Sequence, residues 1–158
     1  MFFRGLIATA ADIETIRRIR NAGRMNMTGD VSEISPERQQ RWWASVSELP
    51  PKDFVAVVYW SGDDAGSMCV GYGILSRRGD GRLYVSLAVD PTMRRTGAGR
   101  FIYEDLAMRA NEPIYAEILK TNEPSIRAAI GAGFTQSGDS ETTVFYRRQH
   151  KVRKERRG

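Results

Sequence analysis

Between Asp53 and Asp90 the sequence allows few architectures. Three β-rich runs, DFVAVVYW, MCVGYGILSRR and RLYVSLAVD, follow one another with only SGDDAGS and Gly79-Asp80-Gly81 between them. Connections this short join antiparallel neighbours, whereas a parallel pair needs a crossover of about a dozen residues or more. The middle of the chain is therefore expected to be an antiparallel meander, and the remaining elements must pack on it.

On both sides of the meander the period turns helical. Ile13, Ile16 and Ile19 share one face of a helix that Gly23 stops. Ser35-Pro36-Glu37 reads as an N-cap with proline at the first helical position, opening PERQQRWWASVSEL, which Pro50-Pro51 breaks. RMNMTGDVSEIS, between the two helices, reads as an irregular loop with Gly29 and Asp30 as turn residues. After the meander come a helix carrying Ile102, Leu106 and Met108, a strand PIYAEILK, a short helix in NEPSIRAAIGAG and a last strand TTVFYRR. One more strand is expected around Phe3 to Ala8. The class is α/β (α+β), without repeats or an internal linker.

Length and charge bound the function. A chain of 158 residues fits one domain, taken as 1–148, with a basic tail at 149–158. Hydrophobic content of 41% and charged content of 27% are ordinary for a soluble protein, and no apolar run is long enough to span a membrane. MFFRGLIATA lacks a continuous apolar core, so no signal peptide is expected. One cysteine, Cys69, and one histidine, His150, offer neither an internal disulfide nor a zinc set. No metal is expected, and a cytoplasmic location fits. From Arg147 onward the chain holds seven of its 24 Lys/Arg and one of its 19 Asp/Glu, so the body is close to neutral and the basicity sits in the tail. Such a tail suits a polyanion, or is simply a solvated terminus.

The stretch VDPTMRRTGAGRFIYEDLA places two glycines and three arginines where a strand hands over to a helix. Gly97 and Gly99 remove side chains from that turn, so backbone amides can approach a ligand closely. A helix's first turn adds unpaired N–H groups and a partial positive charge. Arg94, Arg95 and Arg100 add full charges beside it. The sum is an anion site suited to phosphate. It is not a Walker loop, since no G-K-[ST] follows, nor the three-glycine dinucleotide turn of a parallel unit.

Arg94-Arg95-Thr96-Gly97-Ala98-Gly99 resembles the R/Q-x-x-G-x-G/A pyrophosphate loop of the GNAT superfamily of acyl-CoA-dependent N-acetyltransferases. SLAVDP precedes it and AEILKTNEPSIRAAIGAGF follows, as in that family, so the resemblance covers roughly residues 4 to 147. It implies a mixed, mostly antiparallel sheet of about six or seven strands flanked by helices, with the fourth and fifth strands splayed. It implies acetyl-CoA as cofactor. The pantetheine arm would lie against Leu87, Ala88 and Val89, and the pyrophosphate on the turn from Arg94 through Thr96, Gly97, Ala98 and Gly99 to Arg100. Asn122 and Ser125 would face the arm.

The implied reaction is direct attack of an amine on the acetyl thioester. An amine is mostly protonated at neutral pH, so a base must take its proton. Glu117 is the candidate. It precedes Asn122 by five residues, as the catalytic glutamate does in the ribosomal-protein alanine acetyltransferases of this family. The alternative is an ordinary strand glutamate paired with an arginine. Many family members carry a tyrosine seven residues after the asparagine that protonates the leaving thiolate; here that position is Ala129.

In this fold the first two helices and their loop wall the acceptor site. Asn21, Arg24, Thr28, Asp30 and Trp42 are the candidates there, against a plain reading of Thr28 and Asp30 as turn formers and one tryptophan as core. Three functions stay open: an N-acetyltransferase for a small-molecule amine, a modifier of a protein N-terminus or nucleic acid (including phage-type DNA modification) with the tail as docking arm, and a non-catalytic acyl-CoA-binding module. The first is preferred, as a monomer or homodimer.

Overall fold

A computed structural model describes residues 2–62 and 67–150 of the chain. Most of the basic tail, from Lys151 on, lies outside the described residues.

The chain order is β1 (Phe3–Ile7), α1 (Ile13–Ala22), α2 (Pro36–Val46), β2 (Phe54–Ser61), β3 (Met68–Arg77), β4 (Leu83–Val89), α3 (Ala98–Arg109), β5 (Ile114–Leu119), α4 (Glu123–Gly131), β6 (Thr135–Asp139) and β7 (Thr143–Arg148). Local chemistry sets the ends. The Ser35 hydroxyl accepts the Arg38 N–H at 3.1 Å, with Pro36 at the first helical position of α2. Gly81, at φ +81°, closes the β3–β4 hairpin by donating its N–H to the Arg78 carbonyl. The expected elements are all present, and α2 stops at Val46, three residues short of Leu49. One strand is additional. β6 is TQSGD, polar and mostly exposed, and it carries no apolar alternation to mark it as a strand.

All seven strands form one sheet in the order β1-β2-β3-β4-β5-β7-β6. Every neighbouring pair is antiparallel except β4–β5, which is parallel and joined only at Leu83–Ile114 and Tyr84–Tyr115. Past that point the two strands diverge. α3 and α4 cover one face, over Val57, Tyr59, Leu75, Ile114 and Ile118; α1 and α2 pack on the other, over Ala56, Val58, Tyr72 and Ala88.

Two glycines let α3 sit directly on β3. A Cβ at Gly73 would lie 2.7 Å from Leu106 Cδ1, and one at Gly71 would lie 2.4 Å from the Ala88 carbonyl oxygen. The second obstacle is backbone and cannot rotate away. Gly71→Ala is therefore expected to destabilise the protein by about 1–3 kcal/mol, read as a lower denaturation midpoint. An unchanged midpoint would mean that β3 and β4 separate freely.

Partly buried polar groups tie the far end of α3 to the sheet. The Tyr59 hydroxyl donates to Asp105 Oδ2 at 2.6 Å, and Arg109 Nε donates to the same oxygen at 2.7 Å. Arg109 Nη2 also reaches the Gly5 carbonyl at 3.2 Å. Burial, followed by the Asp105 carboxylate, pushes the Tyr59 phenol well above its ordinary pKa, so it stays a donor.

Candidate functional site

The divergence of β4 from β5 leaves backbone groups on β4 without a strand partner. Asp90 gives its N–H to the Val70 carbonyl at 2.8 Å, on the β3 side. By the alternation of a strand, Val89 and Leu87 present their backbone groups the opposite way, into the gap. Such groups need a partner.

At the end of β4 the chain turns sharply. Asp90 anchors the turn, accepting Thr92 N–H at 3.0 Å, the Thr92 hydroxyl at 2.7 Å and Arg18 Nη1 at 3.3 Å. Burial pushes the Asp90 carboxyl up, but these donors outweigh it and hold it below the ordinary carboxylate range. Arg95 at φ +63° and Gly97 at φ +86° are both left-handed, and Gly97 is the N-cap of α3. The Thr96 hydroxyl donates to the Met93 carbonyl at 2.7 Å, bracing the turn from inside. The first helical bond of α3 runs from Phe101 N–H to Gly97 O, so the N–H groups of Ala98, Gly99 and Arg100 precede the helix's own ladder. They face outward with the positive end of the helix dipole behind them.

Gap and turn open into one cavity of about 630 Å³. Of the residues expected to hold a cofactor, Leu87, Ala88, Val89, Arg94, Arg95, Gly97, Ala98, Gly99, Arg100, Asn122 and Ser125 all line it, and Thr96 stands behind the turn. The three arginines differ in use. Arg100 Nε donates to Glu104 at 2.9 Å, whereas Arg94 and Arg95 form no ion pair among the described residues. The two glycines differ as well. Gly97 is required by its φ. A Cβ at Gly99 would meet only ordinary contacts, at 3.5 Å to Ala128 and 3.8 Å to Val89, so its bareness leaves space for a ligand rather than for the fold.

Ala129 leaves the acid position empty, and Tyr103 and Ser125, the nearby hydroxyls in the sequence, meet each other in the fold. The Tyr103 hydroxyl lies 2.7 Å from Ser125 Oγ, and both residues line the cavity. Burial pushes the Tyr103 phenol up to about 12 against the Ser125 hydrogen bond that lowers it, so at neutral pH it stays protonated. Ala129 is fully buried and carries no acid. The pair joins α3 to α4 across 22 positions, and no local pattern records it.

The acceptor-side candidates are differently placed. Asn21 is bound at both ends of its amide: Oδ1 accepts Ile34 N–H at 2.9 Å and Nδ2 donates to Ile34 O at 3.0 Å. Asp30 pairs with Arg38 at 2.5 Å and accepts Ser32 N–H at 2.8 Å, and the hydrogen bonds from Ser32 and Arg38 hold it well below the ordinary carboxylate range. Arg20 donates to the carbonyls of Asp30 and Ser32. Trp42 packs edge-on against Phe54, centroids 6.0 Å apart. Arg24 and Thr28 are exposed. From this region Gly23, Asn26 and Met27 reach the cavity. Glu117 lies on β5, two residues past the last β4–β5 pair, with Oε1 3.1 Å from Arg78 Nη1.

A family model described as the acetyltransferase (GNAT) family matches residues 16–134, about three quarters of the chain. The chain belongs to that family. Solved structures agree on the GNAT fold. An N-acetyltransferase from Staphylococcus aureus Mu50 superposes with a TM-score of 0.78 at 17% identity, over 96% of this chain and all of that one. A phosphinothricin acetyltransferase from Sinorhizobium meliloti, solved with acetyl-CoA, gives 0.76 at 20% identity over 95% and 89%. A spermidine N-acetyltransferase from Vibrio cholerae, solved with CoA and spermine, gives 0.71 at 13% identity over 92% of each chain. No curated protein sequence matches the chain. Among the described residues no helix is long and apolar enough to cross a membrane.

Acetyl-CoA is the cofactor of this GNAT family, and the residues present fit it. Outward amides and two unpaired arginines suit a diphosphate. The free edge of β4 suits an amide-bearing arm, and Asn122, Ser125 and Tyr103 add polar groups further along the same cavity.

Proposed function

We propose that the chain transfers the acetyl group of acetyl-CoA to the amino group of a small-molecule amine. The observation that carries this reading is the splay of β4 from β5 after Tyr84–Tyr115, with an anion-binding turn at one end of the resulting cavity and a carboxylate, Glu117, just past the point of divergence. The phosphinothricin and spermidine acetyltransferases that share the fold are named for small amines, which supports the same class.

In this reading the cofactor brings an acetyl group activated as a thioester. The chain's own residues bind, orient and move a proton. The amides of Ala98 to Arg100, with Arg94 and Arg95, hold the diphosphate. Backbone groups of Leu87 and Val89 hold the arm, and Asn122 and Ser125 fix its far end. Glu117 takes a proton from the incoming ammonium, directly or through water, and so frees the nitrogen lone pair. Arg78, 3.1 Å away, aims that carboxylate.

The test is thiol release from acetyl-CoA against a panel of amines, peptides and DNA. Turnover with a small amine is expected. Turnover confined to peptides or DNA would transfer the function to a macromolecular acceptor. Acetyl-CoA binding with no turnover on any member would make the protein a binding module.

A further inference from the structure

A second cavity, of about 270 Å³, opens across β4, β5, β7 and β6, and Glu117 is part of its wall. Its floor is aromatic. Tyr84 lies on the same face of β4 as Ala88, hence on the α1 and α2 side of the sheet, and its ring centroid is 5.8 Å from that of Tyr115. Guanidinium groups stack on this floor. Arg78 lies 3.9 Å from the Tyr84 centroid, and Arg82 and Arg147 lie 4.7 and 5.8 Å from the Tyr115 centroid.

The charges here do not cancel. Two carboxylates stand among three guanidinium groups. Glu117 is taken by Arg78, at 3.1 Å. Asp80 accepts the Tyr84 hydroxyl at 2.6 Å and the Arg82 backbone N–H at 2.9 Å. Neither Arg82 nor Arg147 forms an ion pair among the described residues. Arg147 is also left incomplete. Its Nη2 donates to Gln149 Oε1 at 3.2 Å, but its Nε is buried with no hydrogen-bond partner. That Nε is closed off from solvent, so a ligand in the cavity meets Arg147 through the Nη side of its fork, beside Arg82 over the Tyr115 ring.

We propose that this face binds the anionic group of the acceptor: an amine that also carries a carboxylate or phosphoryl group, held by Arg82 and Arg147 with its amino group turned to Glu117. The proposal rests on the acetyl-transfer reading above. A guanidinium fork matches the paired oxygens of such groups, and stacking on tyrosine orients the fork before the ligand arrives. The same excess of positive charge opposes a polyamine, which would bring like charges to Arg82 and Arg147.

The experiment compares an amino acid, its amide, an aminoalkyl phosphonate and spermidine as acceptors for the wild-type protein and for an Arg82→Gln/Arg147→Gln double variant. In wild type the anionic acceptors are expected to exceed the amide in kcat/KM by about tenfold or more, the effect of one charge-assisted contact, chiefly through KM. In the double variant the preference should shrink to about twofold or less, with the acetyl-CoA dissociation constant from calorimetry unchanged. A preference for the amide or spermidine, or a preference that survives in the double variant, overturns the proposal. So does a double variant that loses only single-stranded oligonucleotide binding, because the face would then serve nucleic acid. Binding is also read without turnover, by calorimetric titration of the phosphonate into the cofactor-free protein. Saturation in wild type that is lost in the double variant supports the proposal even if no acceptor is acetylated, in which case it is the acetyl-transfer reading that fails. No saturation in wild type sinks the proposal even where acetyl transfer is observed.

Discussion

Gly97→Val is expected to weaken acetyl-CoA binding by about ten- to a hundredfold while the protein stays folded. Gly97 sits at φ +86°, where an L-residue pays about 1–2 kcal/mol and a β-branched one more. Space is not the obstacle, since nothing lies within 4 Å of a Cβ built there. The strain relaxes by rotating the peptide planes of the turn, which swings the Ala98 N–H away from the cavity. If the turn keeps its shape, the strain remains. Each 1.4 kcal/mol that binding must recover is about one factor of ten in the dissociation constant. A control separates the two effects. Gly81 has nearly the same φ, +81°, in the β3–β4 hairpin, so Gly81→Val carries similar strain without touching the turn. Calorimetry should show weakened binding only for Gly97→Val. Equal dissociation constants for the two variants would remove the turn from cofactor binding.

Glu117→Gln is expected to lower turnover by about 10²–10⁴-fold, the usual contribution of a positioned general base. The amide keeps the shape and loses the proton-accepting charge. Acetyl-CoA affinity should not change, because Glu117 does not line the cofactor cavity. Two readouts distinguish the base from a structural partner of Arg78. The pH dependence of the remaining activity should follow deprotonation of the amine, with activity recovering as pH rises. Arg78→Gln, which removes the ion pair at 3.1 Å but keeps the carboxylate, should cost far less than Glu117→Gln. Equal losses in the two variants would assign Glu117 to holding Arg78.

Much of this architecture is visible in the residues because short-range rules govern it. The meander is dictated by connection length, α2 by Ser35-Pro36, and the sharp turn into α3 by the left-handed backbone that calls for glycine at position 97. Features set by distant partners are not visible. β6 is held by β7 at the sheet edge and needs no apolar face of its own, so TQSGD resembles a loop. The polar residues of the α1–α2 loop suggest a ligand site, yet Asn21 and Asp30 use their side chains on Ile34, Ser32 and Arg38. A polar side chain that braces its own loop and one that binds a substrate look alike until their partners are known. Tyr103 with Ser125, and Arg147 with Tyr115, are juxtapositions made only by folding.

The two residue pairs that join β4 to β5 have a mechanical consequence. The sheet consists of a four-stranded and a three-stranded wing, and the hinge between them is almost bare of main-chain bonding. A ligand wedged into that seam acts as mortar between the wings, so its affinity adds directly to the cohesion of the whole molecule. Amide protons along the inner borders of both wings should exchange slowly when the seam is filled and quickly when it is empty.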